Sequence, residues 1–251
     1  MRAMILAAGL GTRLRPLTNN RPKALVEIDG RTLLEITLCR LRDFGIRDVI
    51  INVHHFAEMI LDYLKTNDNF GMGIEVSRED VLLDTGGGLK KAGWFFLGDS
   101  GRSDEPFLLH NVDVTSTIDF RRITQFHTEN QALATLMVQN RETSRYLLFD
   151  EQLRLCGRRN AADEKTESVR CSQQVQAQAF CGIHIISPRL LTMMTEEGSF
   201  SIINCYLRLA AQGERILAFR ADEYGWRDLG SLNSVMSAGR DLRRQGARKE
   251  D

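Results

Sequence analysis

Residues 4–25 constrain the fold of this chain more than any other stretch. The apolar run Met4-Ile5-Leu6 shows no polar alternation, so it reads as a β-strand buried on both faces. It runs into AAGLGTRLRPLTNNRPKAL, where Gly9 and Gly11 precede Arg13, Arg15, Pro16, Pro22 and Lys23. Small residues let backbone N–H groups approach an anion closely, and the cations that follow can clamp it. Placed at the carboxyl end of a strand, such a loop suits a polyphosphate. A flexible turn with solvated arginines is the alternative, but a turn needs no such set of cations beside two glycines and two prolines.

The alternation of strand and helix continues from there. Residues 32–44 place Leu33, Leu34, Ile36, Leu38, Leu41 and Phe44 at helical spacing, with Thr32 and Glu35 as a capping box and Gly45 as the stop. Residues 48–53 (DVIINV) read as a second buried strand, 57–65 as a helix and 73–77 as a third strand. LDTGGGL (83–89) opens a helix reaching about residue 96. A strand at 106–111, a helix at 118–128 and a strand at 132–139 follow. This pattern predicts an α/β fold, a Rossmann-like doubly wound and mostly parallel sheet with helices on both faces.

From about residue 141 the texture changes. Residues 146–149, 153–157 and 175–186 look like strands, and the charged segment 160–172 reads as an exposed loop. Helices at 188–194 and 201–212 and a strand at 215–219 complete a smaller mixed-sheet region, expected to lie against the first. The expected organisation is therefore residues 1–140, residues 141–230 as a second part of the same domain, and 231–251 as a carboxyl-terminal helix and charged tail, solvated and fraying.

Composition removes several functions. The 33 basic and 33 acidic residues cancel, so no general electrostatic field favours nucleic acid or a membrane surface. Five dispersed cysteines with no C-x-x-C pair fit buried thiols in a reducing compartment, not a disulfide framework or zinc site. No apolar run is long enough to span a bilayer, and the amino-terminal one is too short for a signal peptide. A cytoplasmic location is the expectation.

Asp113 follows an apolar strand, where an open α/β sheet places its ligands. A carboxylate there, with a phosphate loop on the same edge, can hold Mg²⁺; capping the next turn is the structural alternative. Asp119 is a better N-cap than ligand. Asp228, within GWRDLG, is a second carboxylate candidate, and spacing alone leaves open whether it reaches Asp113. Two carboxylates on one divalent ion would neutralise it and aim it at a phosphate. Arg13 suits outer phosphates because a guanidinium binds two oxygens at once, and Lys23 suits an α-phosphate under attack. Gly86, Gly87 and Gly88 allow either close approach to a ligand or a tight turn into a helix. The third glycine of a dinucleotide fingerprint is missing, since position 14 is Leu14, and no P-loop is present. The histidines lack ligand spacing and read as satisfied core or loop residues.

Together these segments resemble the sugar-1-phosphate nucleotidylyltransferases, whose signature A-G-x-G-T-R-[LM]-x-P-x-T-x-x-x-P-K is nearly complete here. LDTGGGL is similar to the family's base-side glycine segment, NVDV to its first metal aspartate segment, FCGIHIISP to its sugar-contacting strand, and GWRDLGSLNSV to its closing W-x-D-x-G segment. The resemblance implies a nucleotide-binding part at 1–140 and a sugar-phosphate-binding part at 141–230. It implies nucleotide contacts at Ala8, Gly9, Gly11, Thr12, Arg13, Lys23, Thr85, Gly86 and Gly87, with Arg13 and Lys23 catalytic. It further implies Mg²⁺ as cofactor on Asp113 and Asp228, and sugar-phosphate contacts at Gly182. The sequence departs from the family's Glu-Lys-Pro segment: Arg158 or Arg159 is expected to substitute for its lysine as a sugar-phosphate contact, Lys165 being a poor match.

The reaction so implied joins a nucleoside triphosphate and a sugar 1-phosphate, most closely UTP and N-acetylmuramate 1-phosphate, by a monomer or homodimer. The alternatives are mannose-1-phosphate guanylyltransferase, a phosphocholine-type cytidylyltransferase, and a regulatory module that binds nucleotide sugars without turnover.

Overall fold

The computed structural model describes residues 1–97 and 104–247, with side chains described up to residue 240. From the amino terminus, β1 (Ala3–Leu6) enters a loop holding two short 3-10 turns (Thr12–Leu14 and Lys23–Leu25). A small hairpin, β2 (Glu27–Ile28) and β3 (Arg31–Thr32), comes next. Then come α1 (Leu33–Asp43), β4 (Asp48–Val53), α2 (Ala57–Thr66), β5 (Gly73–Arg78), α3 (Asp84–Lys91) and α4 (Trp94–Leu97). β6 (Phe107–Asn111), β7 (Val114–Ser116), α5 (Phe120–Glu129) and β8 (Ala134–Gln139) close the first half. The second half supplies β9 (Arg145–Phe149), β10 (Leu155–Asn160), β11 (Thr166–Ser168), β12 (Gln176–Ile186), α6 (Arg189–Thr192) and α7 (Ile202–Ala211). It ends with β13 (Ile216–Arg220), β14 (Trp226–Asp228) and α8 (Leu232–Ala247).

Strands β5, β4, β1 and β6 are parallel and adjacent in that order, with Ile5 paired to Ile51 on one side and His110 on the other. β1, β4 and β6 are covered on both faces, which explains their continuous apolar runs, whereas β5 at the sheet edge alternates exposed and half-buried residues. Ala3, Ile5, Val49 and Ile51 face one core together with Leu38 of α1, Ile60 of α2 and Ile123 of α5. Met4 and Ile50 face the other, with Leu89 of α3, Phe96 of α4 and Tyr206 of α7. The doubly wound α/β architecture is thus present.

Apart from β14, which forms a two-stranded sheet with β7, the second-half strands do not form a separate layer. β12 is eleven residues long, enough to pair antiparallel with β6 near its carboxyl end and with β9 near its start. It also pairs with β8, itself parallel to β13, and β9 leads on to β10 and β11. One ten-stranded sheet results. The segment expected to be a bare loop, 160–172, contains β11, a short exposed strand that satisfies its backbone by pairing with β10.

Local signals were mostly realised. The Thr32 hydroxyl accepts from the Glu35 amide at 3.0 Å, but the Glu35 carboxylate does not complete the capping box. It instead accepts from the Arg31 guanidinium and the Tyr63 hydroxyl. Asp119 caps α5 by accepting from the Arg121 amide. The expected solvated tail differs at its start: Val235 and Ala238 of α8 are buried in the first core. Residues 248–251 of that tail lie outside the described residues. No helix among the described residues is long and apolar enough to cross a membrane.

Candidate active site

The glycine loop is pinned at both ends. The Ala7 amide donates to Asn52 Oδ1 at 2.7 Å, fixing the point where β1 ends. Further along, Gly11 takes φ +64°, and the Thr18 hydroxyl donates to its carbonyl at 2.8 Å. A Cβ on Gly11 would lie 2.9 Å from Thr18 Cγ2 and 3.0 Å from Lys23 Cβ. Glycine here therefore does two things: it adopts the left-handed turn and lets the Lys23 stem pack against the loop. Leu14, fully buried, anchors the turn between them, while Gly9, Thr12, Arg13 and Arg15 remain at the surface and Ala8 is buried.

Asp113 and Asp228 meet. Asp228 pairs with Val114 across the two-stranded ladder of β14 and β7, and the Leu229 amide donates to the Asp113 carbonyl at 2.7 Å. The two carboxylates face the loop's cations: Lys23 Nζ contacts Asp113 Oδ2, and Arg13 Nη1 lies 3.8 Å from Asp228 Oδ2. Gly230 sits at the centre of this group. A Cβ there would be 2.6 Å from Asp113 Oδ2, 2.7 Å from Asp228 Oδ1 and 2.8 Å from Arg13 Nη2. The Gly230 amide also donates to Asp228 Oδ1, which sets that carboxylate's rotamer.

Two carboxylates brought together beside Gly230 form a donor set whose chemistry fits Mg²⁺, which uses one or two protein carboxylates and takes its other ligands from phosphate and water. No cluster of three or more metal-ligating side chains occurs among the described residues.

A buried polar clamp ties the glycine loop after β1 to the start of α3. Asn52 Nδ2 donates to Glu79 Oε1 at 2.7 Å, and Glu79 Oε2 accepts from the Leu83 amide at 3.0 Å. Both side chains are almost wholly buried. Sequence reasoning missed them, although a lone amide inside the apolar strand DVIINV was a visible signal. In the glycine segment the amides of Gly86 and Gly87 both donate to the Phe200 carbonyl, and the Thr85 hydroxyl accepts from the Ile202 amide. A Cβ on Gly86 would overlap the Phe200 ring at 2.3 Å, and one on Gly87 would sit 2.4 Å from the Gly198 carbonyl. These glycines admit the 198–200 turn against α3, and their amide hydrogens are already used.

Beside the carboxylates opens a cavity of about 1000 Å³, lined by Asp113, Asp228 and Gly182 and by the basic side chains of β9 and β10. Gly182 has φ +74° and lies where the β12–β8 register slips; a Cβ would press on Asn111 Nδ2 at 2.8 Å. Arg158 also lines the cavity, but it pairs with Glu167 at 2.7 Å and donates to Asn204 Oδ1. Arg159 stacks over the Tyr146 ring. Arg141, not singled out from sequence, lies 3.8 Å over the Trp226 ring and donates to the Phe180 carbonyl. Trp226 in turn donates to the Cys181 carbonyl, so Arg141 is held directly beside Gly182.

The buried histidines and thiols of the core are structural. His110 bonds the Asn111 carbonyl, His127 bonds Thr135 and Ser187, and His184 bonds the Tyr206 hydroxyl. Burial lowers their pKa values to about 4, about 4 and about 3 respectively, so all three are neutral. Burial likewise pushes the Cys181 and Cys205 thiols up to about 11 and about 12, which leaves them unreactive.

Residues 2–245 match the family described as Nucleotidyl transferase. The chain belongs to this family. Among relatives of this nucleotidyl transferase, an N-acetylmuramate alpha-1-phosphate uridylyltransferase of Caulobacter vibrioides is 31% identical over 94% of either chain. A mannose-1-phosphate guanyltransferase of Yarrowia lipolytica is 28% identical over 94% of this chain and 62% of its own. A solved UDP-glucose pyrophosphorylase complexed with UDP-glucose superposes with a TM-score of 0.73 at 17% identity, covering 97% of this chain and 98% of its own. That last likeness concerns the fold alone.

Proposed function

We propose that this nucleotidyl transferase joins UTP to N-acetylmuramate 1-phosphate, forming the nucleotide sugar and releasing pyrophosphate. The observation that carries the reaction is the convergence of Asp113, Asp228, Arg13 and Lys23 around Gly230. An anionic oxygen of the sugar phosphate attacks the α-phosphorus; the new P–O bond forms as the bond to the β-phosphate breaks and pyrophosphate leaves. The attacking oxygen is already deprotonated, so no general base is required, and catalysis is positioning and charge neutralisation.

Asp113 and Asp228 would hold Mg²⁺, which supplies Lewis-acid neutralisation of phosphoryl oxygens when bound. Lys23, with its side chain 15% exposed, is held close to the carboxylates and suits the attacked phosphoryl group. Arg13, 66% exposed, reaches further out and suits the departing phosphates. Ala8, Gly9, Gly11 and Thr12 would wrap the triphosphate. Thr85, Gly86 and Gly87 would border the base through shape and carbonyl groups, since the Gly86 and Gly87 amides are bonded to Phe200.

The acceptor assignment rests on charge. Arg141, Arg145 and Arg159 line the cavity and have no carboxylate partner among the described residues, whereas Arg158 is neutralised by Glu167. A neutral hexose 1-phosphate needs one such cation for its phosphate. N-acetylmuramate 1-phosphate brings a second anion, its lactyl carboxylate, which matches the surplus. Gly182 would leave room for the ring.

Pyrophosphate release, measured with Mg²⁺ for four nucleoside triphosphates against several sugar 1-phosphates, tests this. UTP with N-acetylmuramate 1-phosphate should be fastest, and Asp113→Ala should abolish turnover while leaving the fold intact. Release with no pair, or full activity in Asp113→Ala, would overturn the reaction. A preference for neutral hexose 1-phosphates would overturn the acceptor assignment alone.

A further inference from the structure

The cations proposed to grip the triphosphate are already occupied. Lys23 Nζ contacts Asp113 Oδ2, with both side chains largely shielded at 15% and 11% exposure. Arg13 stands at 3.8 Å from Asp228 in a more open position. Both carboxylates and both loop cations thus form an internally neutral group before any substrate enters. A divalent ion approaching alone would have to displace Lys23 or share Asp113 with it, against a like charge. A triphosphate approaching alone would have to draw Lys23 away and leave Asp113 uncompensated in a mostly buried position.

We propose that Lys23 is a resident counter-ion for Asp113 that a divalent cation displaces, so that metal and nucleoside triphosphate enter as a charge-matched pair. The dipositive ion takes over the two carboxylates, and the released lysine and arginine take over the phosphates. Neither partner alone completes that exchange, so each strengthens binding of the other, and by linkage the two enhancements are equal. The site's preferred ligand is then the metal–nucleotide complex, and free nucleotide is a poor one. This inference rests on the assignment of Asp113 as a metal ligand made above.

Binding of Mn²⁺, followed by its electron paramagnetic resonance signal, tests it without turnover, with UTP added in the absence of any sugar phosphate. In Lys23→Met, which retains the stem packed against Gly11, Mn²⁺ alone should bind about tenfold more tightly than in the wild type. That is a modest figure for removing a unit charge a few ångströms away. A lysine that merely props Asp113 would give the opposite sign, because its loss would free the carboxylate to move. Conversely, Asp113→Asn should bind metal-free UTP several-fold more tightly than the wild type, because Lys23 is no longer held; this arm stands even if Lys23→Met fails to fold.

Unchanged or weaker Mn²⁺ binding in Lys23→Met overturns the exchange, as does unchanged metal-free UTP binding in Asp113→Asn. If the wild type binds no Mn²⁺ even with UTP present, the metal assignment falls and takes this inference with it. Wild-type Mn²⁺ binding without the gain in Lys23→Met refutes the exchange and leaves the reaction standing.

Discussion

Replacing Gly230 by alanine puts one methyl group into the centre of the charged cluster. Its Cβ would lie 2.6, 2.7 and 2.8 Å from Asp113 Oδ2, Asp228 Oδ1 and Arg13 Nη2, each below the separation that real Cβ atoms tolerate. All three contacts are with the ends of side chains, so the backbone need not move; the two carboxylates and the guanidinium must each retreat by several tenths of an ångström. They retreat from the same methyl group, which drives apart the two carboxylates that a shared cation would have to bridge. Displacements approaching 1 Å at a reacting centre cost about 10²-fold in rate, so kcat/KM for pyrophosphate release should fall by about that factor. Mn²⁺ binding should weaken in parallel. Stability should change by less than about 1 kcal/mol, because no backbone clash or buried polar group is created. The assay is therefore a pair: steady-state pyrophosphate release and a thermal melt on the same preparation. A Gly230→Ala enzyme with wild-type kcat/KM would refute the convergence of the two aspartates as the functional centre. A variant that unfolded would refute the claim that this glycine serves the site and not the scaffold.

Gly87→Ala should show the reverse: its Cβ meets the Gly198 backbone carbonyl at 2.4 Å, so overpacking should cost about 2 kcal/mol, and an unchanged melting temperature would contradict this. The three buried histidines make the fold acid-sensitive. Their native pKa values of about 3 to about 4 lie below the unfolded value near 6.5. The unfolded chain therefore binds more protons in that window. The neutral-state advantage is complete above about pH 6.5 and is lost as pH falls toward 4, at up to about 1.4 kcal/mol per pH unit for each histidine. Urea midpoints at pH 7 and pH 5 should separate less in His184→Gln than in the wild type; an equal separation would count against it. Among the thiols, exposed Cys171 should react rapidly with a disulfide reagent in native protein. Cys156, Cys181 and Cys205 should react only on unfolding, and early labelling of Cys205 would contradict its burial.

Sequence alone determined what depends on near neighbours. Apolar runs without alternation marked β1, β4 and β6 because a parallel strand buried on both faces has no polar side. Thr32, Gly45 and Asp119 marked helix ends because a cap needs a particular side chain or a positive φ at one position. The glycine–arginine–lysine loop pointed to an anion site, the reading proposed above, because those residue types have few other uses together. The tertiary structure decided everything that depends on distance through space. Asp113 and Asp228 are far apart in the chain, and only the pairing of β7 with β14 brings their carboxylates around Gly230. Asn52 and Glu79 became a clamp only once β4 and β5 lay side by side, since each alone looks like an ordinary polar residue. The cavity's free cations emerged in the same way: Arg158 and Arg159 are neighbours in sequence, but β-strand alternation sends one to Glu167 and the other over Tyr146. Local chemistry is written into adjacent residues, whereas which charges are cancelled and which remain available is a property of packing.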